Sequence, residues 1–516
     1  MKTAAMAVAA LTVLVGCPSS VQAEKAEKVS QFGITWTFDQ PYEVGHFANG
    51  DWWVVGPVKV VAIDPASTTV DAKVEGAYVK NYDPDKIGTN FQWIKNGSMV
   101  NPTPLVGVKQ GYDNTVGGSP VFAKEMYDPA LNVGMGVSRE KPLVLKPDSS
   151  LVSTISRPTP YNRPQPDIGA VLTVLKAPAP DGSFRPPYSG NDKSIKHNKS
   201  QLKWELLPKL ASVASAPKME DVEKWFEKPW LDHVPTWNGT KAHPAQNLPE
   251  YPRDMCEQVS IASLMLLLDL PKEKKEKLLV AFVQVGIDQY EIYDQTKDKR
   301  EVSWGVGAGF GSGRKWPIVF AGLMLDEKKM QQVNMLKMCN EDGQTYYGKC
   351  WTGATVCWGM SHSVLAGAAG GDKDGNADHE EKHPSQWTCD GRGKPGDPGA
   401  GSRSNARSEA YKRCCNSKQW VGEALAARLM NATKVWNHDP FFDYVDRWMT
   451  EDDTELLKVA GEHLKGDPFK RDQPQFRQRT SGYPFVDDMW KKYRPTVQPP
   501  PDGWKKEHPS SAAEAK

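Results

Sequence analysis

The sequence predicts an α+β multidomain protein, an N-terminal antiparallel β-sandwich or jelly roll followed by an incomplete (α/α) toroid. Three observations predict it. Residues 24–200 run in short β-branched and aromatic stretches cut by Pro, Gly, Asn and Asp. From about residue 205 the pattern changes to apolar-faced helices joined by short loops, which makes neighbours run antiparallel. Between the two, residues 157–200 (RPTPYNRPQPD, KAPAPDGSFRPPYSGNDK) are Pro-rich and predict an extended connector.

The elements follow in order. Residues 1–23 carry Lys2, a small apolar run from Ala4 to Gly16 and the small-residue ending Val21-Gln22-Ala23, which together predict an export signal. Leu14-Val15-Gly16-Cys17 competes as a lipobox, with Cys17 lipidated and the chain tethered. Asn49-Gly50-Asp51 is a turn signal ahead of a strand over Trp52–Val55. Further strands are expected at Val58–Ile63, Pro142–Leu145, Ser150–Ser156 and Ala170–Leu175. Residues 201–465 form the helical part. Its first helix spans 253–268, with Met255, Val259, Ala262 and Leu266 on one stripe. Pro271 opens a second helix through Tyr290, where its missing N–H costs little. That helix is apolar nearly all round, yet Gln284, Asp288 and Glu291 make a polar row at i, i+4, i+7. Later helices are expected at Arg314–Leu325, Asp326–Met338, Ser408–Met430, Pro440–Met449 and Asp452–His463. Residues 466–516 read as an extended or disordered tail.

Composition narrows the function. The chain has 516 residues and a formal net charge of +1, which argues against a phosphate-backbone binder and so against nucleic acid. No segment after the signal is apolar and long enough to span a membrane. Trp is as common as 18, against 15 Phe and 16 Tyr; its flat apolar face suits stacking on sugar rings, although core packing explains many single Trp equally well. Seven Cys lie beyond Cys17, six of them between 339 and 415, so one or two bridges are expected to pin that region.

His379-Glu380-Glu381-Lys382-His383 spells the H-E-x-x-H of zinc peptidases. The motif works only inside a buried helix with a third ligand. Here Pro384 follows at once, a Gly- and Asp-rich loop precedes, and no third ligand continues the pattern. The peptidase reading is therefore rejected. The preceding loop places Asp372, Asp374 and Asp378 at alternate positions, as a structural Ca2+ loop would, with a plain solvated loop as the preferred reading. No cofactor is required by the chemistry below.

The denser signals lie in the helical part. Residues 236–258 bring Trp237, His243, Asn247, Tyr251 and Arg253 toward one helix start. Five Gly in 305–313 precede Arg314, Lys315 and Trp316; such a loop either binds an anion through backbone N–H groups or makes a tight packing turn. Residues 346–362 supply Trp358 and His362, and 408–420 supply Tyr411. Tyr, His, Arg, Asn and Trp without an obvious carboxylate pair suit β-elimination of a uronic-acid polysaccharide. Arg or Asn neutralises the sugar carboxylate, and a Tyr or His moves protons to and from the sugar. Free Tyr, with a pKa near ~10, needs help from its surroundings to act as base.

A β-rich module joined to paired antiparallel helices resembles the (α/α)-toroid polysaccharide lyases. The segments FANGDWWVVGPV, GSFRPPYSGNDK, GSGRKWPIVFAGLMLD, YKRCCNSKQWVGEALAARL and HDPFFDYVDRWMT also resemble a group of large exported bacterial proteins. The first resemblance implies Asn/His/Tyr/Arg chemistry in a Trp-lined groove. The local chemistry assigns Tyr251, Tyr411, His243, His362 and Arg253 as catalytic candidates. Asn247, Arg314, Lys315, Trp237, Trp316, Trp358 and Tyr290 are substrate-binding candidates. Tyr411 and Arg253 also read as ordinary helix-surface or capping residues. The expectation is an exported lyase (periplasmic, outer-membrane-anchored or extracellular) whose partner is an acidic polysaccharide. A glycoside hydrolase on the same scaffold and a non-catalytic glycan-binding protein are the alternatives.

Overall fold

The computed structural model describes residues 24–73, 90–115, 125–158, 166–307, 309–360, 379–384, 409, 411–463 and 480–505. The signal segment and the Asp372–Asp378 loop fall outside the described residues. The fold is mixed α+β.

Among the described residues ten strands come first: β1 (Glu24–Gln31), β2 (Ile34–His46), β3 (Trp52–Val55), β4 (Val58–Asp64), β5 (Thr68–Lys73), β6 (Asn90–Lys95), β7 (Ser98–Val100), β8 (Leu143–Leu145), β9 (Ser149–Ser156) and β10 (Pro166–Leu175). Eight of them form one sheet in the order β7-β9-β10-β3-β2-β4-β8, with β1 paired to β2 off that path, while β5 and β6 make a separate hairpin. Pairing is antiparallel except between β10 and β3, which run parallel. Ile34, Trp36 and Phe38 alternate inward along β2 and meet Val54, Val58, Val60, Leu151 and Leu172 in the sheet's own core. The neighbouring strands β9 and β10 are buried on both faces along most of their length, β10 as a near-continuous apolar run and β9 with Ser150, Ser153 and Thr154 taken inside. Their second face, through Val152 and Val171, enters the core of the helical part.

The helices are α1 (Met219–Phe226), α2 (Pro252–Leu266), α3 (Lys272–Thr296), α4 (Lys315–Met324), α5 (Lys328–Gln331), α6 (Asn340–Gly343), α7 (Ser417–Leu429), α8 (Thr433–Trp436), α9 (Asp439–Thr450), α10 (Thr454–His463) and α11 (Pro484–Tyr493); β11 (Thr345–Tyr347) and β12 (Val356–Trp358) form a small hairpin among them. None of the described helices is long and apolar enough to cross a membrane. Two expectations are corrected. The helix expected over Asp326–Met338 shrinks to the single turn α5, because the Asn334 side chain accepts the Leu336 N–H at 3.2 Å and Tyr293 Oη accepts the Asn334 N–H at 3.1 Å. These bonds give the backbone an alternative to the helix ladder. The tail is not uniformly extended: α11 buries Phe485, Val486, Met489 and Trp490 on one face, a helical spacing hidden among charges and prolines.

The Pro-rich connector is tied down on both sides. Arg185 is fully buried and bonds Asp51, in the turn before β3, through Nε at 2.5 Å. Its terminal nitrogens reach both oxygens of Asp288 on α3, at 3.0 and 2.6 Å. Burial alone would lower the Arg185 pKa, but the two carboxylates overcome it and raise the value, so the guanidinium stays charged. Gln284 brackets the Arg185 backbone, with its carbonyl accepting the N–H and its amide donating to the C=O, each at 3.0 Å. Asp288 also accepts the Tyr188 N–H at 3.2 Å, and Gln295 donates to Ser189 Oγ at 3.1 Å. The polar row on α3 is therefore the seat of the connector.

Arg185→Ala, which strands two buried carboxylates, should lower the unfolding free energy by about 3–5 kcal/mol. Arg185→Met combined with Asp51→Asn and Asp288→Asn should cost less, because no unpaired charge stays buried. Urea unfolding followed by Trp fluorescence compares the two.

Candidate functional site

Three of the expected catalytic side chains meet at the start of α2. Tyr251 caps that helix in an extended conformation and Pro252 takes its first position, where no N–H is needed. The Tyr251 ring packs on Phe310, with centroids 5.5 Å apart, and its hydroxyl accepts the Gly309 N–H at 3.2 Å. Arg253 lies over the Tyr251 ring at 5.3 Å. Its Nε donates to Asp254 at 2.7 Å, and one terminal nitrogen points at Cys414 O, 3.4 Å away. Its other terminal nitrogen has no partner among the described residues. Tyr411 arrives from the turn before α7, close enough that its charge acts on Tyr251. Burial first, then Tyr411, push the Tyr251 phenol up to about 12 against the pull of the Gly309 N–H and Arg253. All three side chains are partly exposed rather than in the core.

Two features here escaped the sequence reading. Glu257, one turn beyond Arg253 on α2, is raised to about 8 by burial and then by Asp254, with Arg253 opposing. It has no hydrogen bond among the described residues. The spacing of four from Arg253 was its only local signal. The second is a bridge between the neighbours Cys414 and Cys415, inside a π-helical turn over Lys412–Asn416. It links no distant segments, unlike the bridges expected across 339–415. Cys256, Cys339, Cys350 and Cys357 are free and buried.

The other candidates lie elsewhere. His243 is fully buried, with Nε2 2.9 Å from Asp232 and Nδ1 3.0 Å from Pro249 O. Arg314 grips the same Asp232 through Nε and one terminal nitrogen, both at 2.9 Å, and donates to Phe310 O and Ser312 O at 2.8 and 2.9 Å. Burial raises Asp232, but Arg314 and His243 outweigh it and hold the carboxyl at about 2. A substrate carboxylate would have to displace Asp232 to reach Arg314. Lys315 is buried against Asp342, which also accepts the Trp436 indole N–H at 2.8 Å. Asn247 is buried and donates to Lys228 O at 3.1 Å. Trp316 and Trp358 are both 0 % exposed, so no sugar ring reaches them. Trp237 is 38 % exposed, with Lys241 Nζ 3.5 Å above its ring. Tyr290 sits on α3 beside Tyr293. His362, Asp372, Asp374 and Asp378 lie outside the described residues. The Gly-rich loop spends its amides internally: Gly309, Gly311 and Gly313 donate to Tyr251 Oη, Asn340 Oδ1 and Glu341 Oε1. It is a packing turn.

The H-E-x-x-H residues do not form a long helix. His379–Glu381 is a short 3-10 turn. His379 Nε2 meets Glu409 at 2.8 Å, while His383 stacks edge-on against Trp351, centroids 5.0 Å apart. His379, Glu380 and Glu409 cluster as metal ligands could. Lys412 pairs with both acids at 2.6 and 2.7 Å, Arg413 with Glu409 at 2.8 Å and Arg447 with Glu380 at 2.7 Å. Burial raises Glu380, but Arg447 and Lys412 win and hold it at about 2. Protein cations already occupy the charge position a metal would take. Beside this network opens a cavity of about 570 Å3, lined by Trp351, Trp504, Glu451, Asp452, Asp453 and Glu455.

Comparisons with protein-family models, curated proteins and solved structures find no match. The arrangement at α2 offers a phenol that holds its proton, a cation with a free nitrogen, and an acid that stays neutral to about pH 8.

Glu257 gives a stability signature. The folded protein holds its proton to about pH 8, while the unfolded carboxyl releases it near 4.5. The folded state thus binds more protons across that window, and stability falls as pH rises through it. Glu257→Gln should flatten the slope in urea unfolding measured at stepped pH between the two values.

Proposed function

We propose that the chain is an exported polysaccharide lyase that cleaves a uronic-acid-containing polysaccharide by β-elimination. The architecture proposed with it is a β-sandwich or jelly roll followed by an incomplete (α/α) toroid. The observation that supports this reading is the convergence of Tyr251, Tyr411 and Arg253 on one partly open helix start. The free terminal nitrogen of Arg253 pairs the sugar carboxylate and stabilises the charge that builds when the C5 proton leaves. Tyr411, in its phenolate form, takes that proton and becomes the neutral phenol. The C5–H electrons form the C4–C5 double bond as the C4–O bond breaks, and Tyr251 gives its proton to the departing oxygen. A phenol pushed up to about 12 suits the acid role better than the base role. Glu257, neutral below about 8, leaves Arg253 to the substrate; once ionised it competes for that cation.

One observation favours a second reading. The cavity between Trp351 and Trp504 is lined by four acids against the single cation Lys505, with Glu451 and Asp453 paired to Arg447 and Arg413, an acidic excess that favours a neutral or basic sugar over a uronate.

Purified protein incubated with a panel of uronans should produce an unsaturated product detected by its ultraviolet absorbance. Tyr251→Phe should lower kcat by roughly 100-fold or more while leaving the fold intact. Arg253→Lys should raise KM and lower kcat together. New reducing ends without the absorbance would instead assign hydrolysis, and binding without either product would assign a glycan-binding protein.

A further inference from the structure

Three acidic groups meet in the core with no cation against them among the described residues. They are Cys256 on α2, Glu341 on α6 and Glu423 on α7, each 0 % exposed. The thiol sulfur and one oxygen of each carboxyl all lie within 4.8 Å of one another. Glu341 Oε1 accepts the Gly313 N–H at 2.5 Å and lies 3.9 Å from Cys256 Sγ. Among the described residues the remaining Glu341 oxygen and both Glu423 oxygens find no hydrogen-bond partner outside the cluster itself, and the Gln419 amide oxygen one turn earlier on α7 has none. No ion pair joins either carboxyl to a basic side chain among the described residues. Lys315, the nearby cation, is taken by Asp342.

This separates the cluster from the two other groupings of metal-binding residue types. Both of those contain Glu380, which Lys412 and Arg447 neutralise. Burying two carboxylates and a thiolate without a counter-charge is far more costly than burying a paired set. Burial and then Glu341 push the Glu423 carboxyl well up, and burial and then Glu423 push the Cys256 thiol up. One shared proton would satisfy a single pair of oxygens and leave the others bare. A divalent cation satisfies them together.

The cluster's walls are built close. A Cβ at Gly313, whose φ is +77°, would stand 2.6 Å from Cys256 Cα, and one at Gly422 would stand 2.5 Å from Ser260 Cβ. Only glycine lets the loop and α7 approach α2 this nearly.

We propose that Cys256, Glu341 and Glu423 form a buried structural site for a divalent ion of the Zn2+ class. A thiolate beside two carboxylates suits zinc, whereas Ca2+ and Mg2+ take oxygen donors alone. The Gln419 main-chain oxygen, 3.4 Å from Cys256 Sγ, already accepts the Ser260 hydroxyl at 2.6 Å, so the three side chains are the protein donors assigned to the ion. Binding displaces the thiol and carboxyl protons to solvent. The ion clamps α2, α6 and α7 together beneath the helix start that carries Tyr251 and Arg253. It does not take part in chemistry, because solvent does not reach it.

The full chain is to be refolded with Zn2+ or Co2+, dialysed and analysed for metal content and absorbance. One ion per chain is expected, with a thiolate-to-cobalt charge-transfer band and a raised Tm. Cys256→Ser should abolish the band, and Glu423→Gln should weaken Zn2+ binding roughly 100-fold or more. Cys350→Ser should leave both unchanged, which separates this cluster from the one around Glu380. A metal-free wild-type chain after refolding overturns the proposal. So does a Glu423→Gln variant that matches the wild type in metal content and Tm, since an amide replaces a protonated acid but not a ligand. If neither variant folds, the wild-type cobalt spectrum measured beside Cys350→Ser decides: no thiolate band, or a band lost with Cys350, overturns the site.

Discussion

One buried guanidinium holds the molecule to its shape. Arg185 stands between an aspartate in the turn before β3 and an aspartate in the middle of α3, with all three side chains out of solvent. A charge there is tolerable only because both partners are fixed, and they are fixed by different parts of the fold. Asp51 is also held by Gln31 and Asn49, at 2.8 and 2.7 Å. The sheet and the helices are thereby committed to one relative placement. The apolar core agrees: Val152 on β9 and Val171 on β10 sit in the same cluster as Trp230, Phe282 and Trp316.

The same rule sorts the buried polar groups. Asp232 satisfies Arg314 and His243 together, and Asp446 does the like for Arg428 and Arg494. Glu409 and Glu380 are ringed by Lys412, Arg413 and Arg447. In each case a carboxylate with matched cations is framework. Groups without that match stand out against this background: Glu257, partly open at the head of α2, and the Cys256, Glu341 and Glu423 set beneath it.

The legible part of the chain was the part governed by near neighbours. The Asn49-Gly50-Asp51 turn set the start of β3 to the residue, and the stripe of Met255, Val259 and Ala262 marked α2. The polar row on α3 was visible too, but its partners lie about a hundred positions earlier, in a segment that composition marks only as extended. The candidate site shows the same division. Tyr251 and Arg253 could be read from the helix start they flank, whereas Tyr411 and the Cys414 carbonyl come from 160 or so residues downstream. Arg314, Lys315, Trp316 and Trp358 had the right chemistry for a sugar groove, yet residue type cannot reveal that each is enclosed by a packed neighbour. Glu257 carries no sequence signal beyond its spacing from Arg253, and burial sets it apart.

The bridge between Cys414 and Cys415 has a topological consequence. A covalent link between adjacent residues encloses almost no chain, so it takes little freedom from the denatured protein. Its influence is confined to the rigidity of a single peptide unit, the one whose carbonyl faces the Arg253 side chain. Opening it would leave the chain's long-range connectivity as it was, and would change only how firmly that oxygen is aimed.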